Sequence, residues 1–199
     1  MKKILVAFLA AFLTAPFASA TITAYSCDDD GDGVIVMNST SLVYDGDIDY
    51  TLYMDCTHTQ SNDPGHIEGD FTATPEDPRV WIMESVENDT TFAWTDYHIT
   101  IGMSQEFSFM DVSTPDGWTS VVTGPAAGTI PNDGGTGWVG TIDYYVGSGD
   151  AIAIGEYGDF GFKISFTGSI AYCTEQYPTP EPATMALLGL GALILRRKK

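Results

Sequence analysis

Apolar and polar residues alternate with a period of two over much of the chain, the spacing that places alternate side chains on one face of a β-strand. The longest run sets Phe160, Phe162, Ile164, Phe166, Gly168, Ile170 and Tyr172 against Gly161, Lys163, Ser165, Thr167, Ser169 and Ala171, and predicts one strand. Ile48, Tyr50, Leu52 and Met54 form a second series, and Tyr97, Ile99, Ile101 and Met103 a third. Weaker alternation predicts strands at 21–26, 34–37, 66–73, 80–86, 107–112, 118–123, 138–146 and 151–154. Turn chemistry separates them, as at Asp45-Gly46, Asn62-Asp63-Pro64-Gly65, Pro115-Asp116-Gly117 and Asn132-Asp133-Gly134-Gly135. No interior window repeats at 3.6 residues. About ten short strands at this spacing predict an all-β domain, an antiparallel β-sandwich with Greek-key-like connections, with a barrel or jelly roll as the other arrangement.

The two ends break the alternation. Residues 1–20 have the three parts of a secretory signal peptide: Lys2-Lys3, an apolar run from Ile4, and the small-residue exit Ala18-Ser19-Ala20, with cleavage by signal peptidase after Ala20. At the other end Ala183 to Leu195 is uncharged and closes on Arg196-Arg197-Lys198-Lys199. As a helix it measures about 20 Å, short of the roughly 30 Å hydrocarbon core, but thinning of the bilayer and snorkelling of the flanking cations accommodate a transmembrane span of this length. The basic cluster orients the tail to the cytoplasm and the domain outward. Pro178-Thr179-Pro180-Glu181-Pro182 reads as a stiff linker ahead of it. The chain therefore divides into a signal helix at 1–20, a domain at 21–177 and a tail at 178–199.

Charge sharpens this division. The 199 residues hold 27 Asp and Glu against 8 Lys and Arg, a formal net charge of -19. Six of the basic residues sit at the extreme ends, which leaves only Arg79 and Lys163 in the interior. Such a domain lacks the basic footprint that nucleic acid or an anionic membrane surface requires. Self-repulsion on this scale favours a saline or calcium-containing setting.

Three elements in fixed order, Pro180-Glu181-Pro182, an apolar helix and a basic cluster, make the tail similar to the PEP-CTERM sorting signal. The resemblance implies processing by an exosortase, a membrane cysteine transpeptidase that cuts near the Pro-Glu-Pro. It also implies transient anchoring in the inner membrane, then release to the cell surface or extracellular matrix. It says nothing of the domain itself.

Within the domain the sharpest motif is Asp28-Asp29-Asp30-Gly31-Asp32-Gly33. Asp28, Asp30 and Asp32 are the alternate carboxylates of a D-x-D-x-D-G calcium loop, and Gly33 provides its sharp turn. Ser39 stands where an EF-hand places its bidentate Glu, so the readings are a looser Ca²⁺ turn or a solvated acidic hairpin. Cys27, Cys56 and Cys173 in an oxidising compartment predict one disulfide. Cys27–Cys56 would close about 30 residues and contribute about 3 to 4 kcal/mol, with Cys27–Cys173 as the alternative. Trp118 and Trp138 lie beside Gly-rich turns and are candidates for stacking on sugar rings, whereas Trp81 and Trp94 read as core. His58 and His66 flank a polar loop that reads as a surface hairpin, with a metal or an acid/base pair as the alternative, and no Gly-x-Ser-x-Gly or His-Glu-x-x-His is present, so no catalytic residue is assigned. The expectation is an exported, non-enzymatic surface or matrix protein with a structural or adhesive role and no required cofactor. The alternative is a Ca²⁺-assisted carbohydrate-binding module that takes an exopolysaccharide or other matrix partner.

Overall fold

The computed structural model describes residues 21–46, 48–60 and 63–180. The signal segment with Ala18 and Ala20, the residues Glu181 and Pro182, and the apolar stretch from Ala183 lie outside them. The described residues form strands and no helix: β1 (Ile22–Asp29), β2 (Ile35–Gly46), β3 (Asp49–His58), β4 (Gly65–Ala73), β5 (Arg79–Asn88), β6 (Trp94–Met103), β7 (Phe107–Ser113), β8 (Trp118–Thr129), β9 (Thr136–Val146), β10 (Tyr157–Phe166) and β11 (Ile170–Pro180). They pair into a six-stranded sheet in the order β1-β4-β11-β6-β9-β8 and a five-stranded sheet in the order β2-β3-β5-β10-β7. The two apolar faces form one shared core, the arrangement of a β-sandwich.

The sequence pattern and the structure part in three places. The sheets are not wholly antiparallel, because β3 and β5 run parallel from Asp49↔Arg79 to His58↔Asn88. The intervening β4 lies in the other sheet, so the chain returns to the same end before it re-enters. The run from Phe160 to Tyr172 is two strands: β10 ends at Phe166, Gly168 turns at φ +68°, and β11 begins in the opposite sheet. The alternation is blind to this crossing, since both sheets point their apolar residues at the same interior. Finally, Pro178 and Pro180 are strand rather than linker, paired with Tyr97 and Trp94 on β6. The β4 ladder on the other side of β11 ends at Gln176↔Gly65, so neither proline is asked for an amide hydrogen there.

Aromatic side chains dominate the core. Phe160 stacks on Tyr97 with ring centroids 4.4 Å apart, and Trp118 and Tyr144 meet it edge-on at 5.9 and 5.0 Å. Phe71 is stacked between Phe166 and Tyr172. Offset and edge-on contacts of this kind add to the area that each ring removes from water. The phenol of Tyr144 donates to the Gly161 carbonyl at 3.0 Å, which satisfies its polar end.

A polar cluster crosses this interior and is centred on Gln176 of β11. Its amide nitrogen donates to Glu84 Oε1 at 2.8 Å and to Thr174 Oγ1 at 3.0 Å, and its oxygen accepts from Tyr97 Oη at 2.8 Å. His58 Nε2 lies 3.4 Å from the Gln176 carbonyl. Glu84 and His58 come from the five-stranded sheet and Gln176 from the six-stranded one, so the cluster ties the layers together. Burial pushes the Glu84 carboxyl up to about 7, only partly opposed by the bond from Gln176. Burial also lowers the His58 imidazole below its ordinary value, which favours its neutral form.

Candidate functional site

The acidic turn between β1 and β2 is held by its own carboxylates. Asp29 Oδ1 accepts from the Gly31 amide at 2.9 Å, Asp30 Oδ1 from Asp32 at 3.1 Å, and Asp32 Oδ1 from Val34 at 2.7 Å. Asp29 Oδ2 also takes the Met37 amide at 2.8 Å. Short Asp side chains favour these local bonds, and Gly31 and Gly33 take the positive φ values, +77° and +78°, that the reversals need.

The grouping of possible metal ligands differs from the expected Asp28, Asp30 and Asp32. Ligand atoms of Asp30, Asp32 and His66 lie within 4.8 Å of one another. His66 Nδ1 is 3.2 Å from Asp30 Oδ2, and its Nε2 is 3.7 Å from Glu175 Oε2. Asp28 turns instead toward a hollow of about 500 Å³ on the six-stranded sheet that it shares with Glu68, Asp70 and Asp133. An imidazole with two carboxylates is a borderline donor set, unlike the all-oxygen shell that suits Ca²⁺. The sequence motif could not show His66, because the β1–β4 register of Asp28↔Glu68 and Asp29↔Ile67 is what brings it alongside.

The histidines are also placed differently from a solvated hairpin. His58 is fully buried, with its ring edge-on to Trp94 and Tyr97 at 5.9 and 6.1 Å. His98 on β6, which the sequence did not single out, pairs with Asp143 at 2.7 Å and stacks on Tyr177 at 4.7 Å.

All three cysteines are free thiols, and the expected Cys27–Cys56 bridge is not formed. Each of the two sulfurs faces a methionine instead: Cys27 Sγ lies 3.3 Å from Met54 Sδ, and Cys56 Sγ lies 3.7 Å from Met37 Sδ, its cross-strand partner. Burial pushes Cys27 up to about 11 and Cys173 to about 12, and raises Cys56 further, so the thiolate needed for oxidation is suppressed.

Among the tryptophans, Trp118 and Trp81 are placed differently from expectation. Trp118 is buried, donates its indole N–H to the Asp150 carbonyl at 2.9 Å and packs against Phe160. Trp138 is half-buried against the core. β8 turns Trp118 onto the hydrophobic interior, and β9 packs Trp138 against it in part. Trp94 is core as expected, but Trp81 is not. On β5 the buried residues are Val80, Ile82, Glu84, Val86 and Asn88, so the opposite parity sends Trp81 and Met83 to the outer face. Lys163 Nζ lies 5.9 Å from the Trp81 ring centroid.

The parallel β3–β5 pair sets Tyr53 beside Met83 and Thr51 beside Trp81. The β5–β10 and β10–β7 registers continue the rows to Gly161 and Ser113, and to Lys163 and Asp111. The result is a shallow groove of about 270 Å³ lined by Thr51, Tyr53, Trp81, Met83 and Ser113. At its end Asp49 binds both interior cations, Arg79 Nε at 2.7 Å and Lys163 Nζ at 3.1 Å.

Comparison with known proteins finds the tail. Residues 178–199 match the PEP-CTERM protein-sorting motif. No curated protein and no solved structure matches the chain.

Proposed function

We propose that this chain is an exported, exosortase-sorted protein of the cell surface or extracellular matrix whose β-sandwich has a structural or adhesive role and no catalysis. The PEP-CTERM motif implies export and exosortase processing. The observation that carries the reading is the joint between domain and motif: β11 runs from the middle of the six-stranded sheet to Pro180, inside the matched segment. The first residues of the sorting motif are thus part of the sheet, as suits a body displayed where the tail is handled. The non-catalytic part draws support from the histidines. His58 is sealed among aromatic rings, and His66 and His98 each face a carboxylate. The test is the intact mass of protein released to the surface. A C-terminus near Pro182 is expected, and retention of Arg196 to Lys199 would overturn the processing.

A further inference from the structure

The outer face of the five-stranded sheet differs in kind from the rest of the acidic surface. Its groove combines flat apolar surface, from Trp81 and the exposed Tyr53, with the hydroxyl of Ser113, while the buried Thr51 hydroxyl donates to Asp45 Oδ2 at 2.6 Å. Met83 lies over Gly161, where an added Cβ would meet its sulfur at 2.6 Å, so the floor stays low between the strands. Charge is locally matched here. Arg79 and Lys163 are the sole Lys or Arg among the described residues, and both stand at one end of the groove around Asp49, with Asp111 in register beside Lys163. Everywhere else the carboxylates outnumber cations without relief.

From this we infer that the groove binds an uncharged pyranose chain, with sugar rings stacked on Trp81 and Tyr53 and hydroxyls meeting Ser113 and the Lys163–Asp49 pair. A pyranose offers an apolar C–H face and a rim of hydroxyls, the complement of an aromatic plane edged with donors and acceptors. Charge decides between glycan classes. With Asp49 and Asp111 set against Arg79 and Lys163, the groove has no surplus positive charge to draw a polyanion to a domain so rich in carboxylates. The binding does not call on the acidic turn, which joins the sheet at the His58 end of β3 through Ile35↔His58. The stretch from Thr51, beside Trp81, to His58 is about 23 Å long at about 3.3 Å per residue. The inference gives a ligand class to the adhesive reading above and rests on it only for the setting.

The experiment is affinity electrophoresis and calorimetry of the full chain, purified without its termini being altered, against laminarin, galactomannan and hydroxyethylcellulose as neutral probes and alginate as the anionic one. Binding to at least one neutral probe is expected, unchanged by EDTA. Trp81→Ala should weaken it by about tenfold or more, Trp81→Phe should restore part of it, and Trp138→Phe should leave it intact. Melting curves of the variants within a few degrees of wild type confirm that the fold persists. Binding to alginate alone, to no probe at all, or equally by wild type and a folded Trp81→Ala would overturn the inference. None of these results would bear on the mass of the processed tail, so the two claims fail separately.

Discussion

Two surfaces of this sandwich use similar polar side chains to opposite ends. In the acidic turn the carboxylates of Asp29, Asp30 and Asp32 are occupied by neighbouring amides, and the remaining Asp30 oxygen faces His66. On the Trp81 face, Asp49 gathers both interior cations at the end of a groove whose aromatic rings are left to the outside. A dense run of charge has here become a way to close a loop, whereas a sparse set of charges marks a surface open to a partner. Local abundance of a functional group is therefore a poor guide to its availability; what matters is whether backbone donors lie within two residues to consume it.

The broadest way to break the comparison is to remove the interior on which both surfaces stand. Phe160→Ala deletes a fully buried ring that touches Tyr97, Trp118 and Tyr144, and should cost about 3 to 5 kcal/mol. Denaturant unfolding should still show a single transition, with both surfaces lost together; two separated transitions would mean that the sheets are independent.

A second variant acts between the surfaces. In the unfolded chain the Glu84 carboxyl ionises near 4.5, and in the fold near 7. Between those values the folded state retains a proton that the unfolded state has released, so this group lowers stability as pH rises through the window, and the penalty is complete above it. Glu84→Gln should thus be stabilising by up to about 3 kcal/mol at pH 8 and nearly neutral at pH 4. Thermal melts at the two pH values read the difference, and a pH-independent effect would place the penalty elsewhere.

The smallest effect is expected at the turn. Asp30→Asn keeps an oxygen for the Asp32 amide but weakens the contact with His66, for a loss of about 1 kcal/mol or less. Its glycan binding should equal wild type. A fall in binding would erase the distinction between the two surfaces.

The strands were legible because burial follows parity. Tyr50, Leu52 and Met54, and likewise Tyr97, Ile99, Ile101 and Met103, are buried where the alternation places them. What alternation cannot carry is which sheet a strand joins, which is why the turn at Gly168 was hidden within an unbroken pattern. The candidate site was far less legible. The groove draws on Thr51, Tyr53, Trp81, Met83 and Ser113, from three strands, and exists only once β3 and β5 pair in parallel. One local signal did point to it: Trp81 alternates with Val80 and Ile82, so a strand with an aliphatic inner face had to present the indole outward. Reading Trp81 as core set aromatic size above strand parity, and parity prevails. The surroundings of the thiols were equally hidden, since Cys27 and Cys56 lie against the sulfurs of Met54 and Met37 and no count of cysteines reveals them.

The position of β11 has a mechanical consequence. A pull on the domain from its sorting tail would enter through Pro180 along the axis of a strand flanked by β4 and β6. Such a load shears two ladders at once rather than peeling one bond at a time, and the Gln176 cluster passes part of it to Glu84 and His58 in the second sheet. Because forced rupture is governed by the unfolding barrier rather than by equilibrium stability, a load applied at Pro180 would meet the resistance of the strand's whole ladder length.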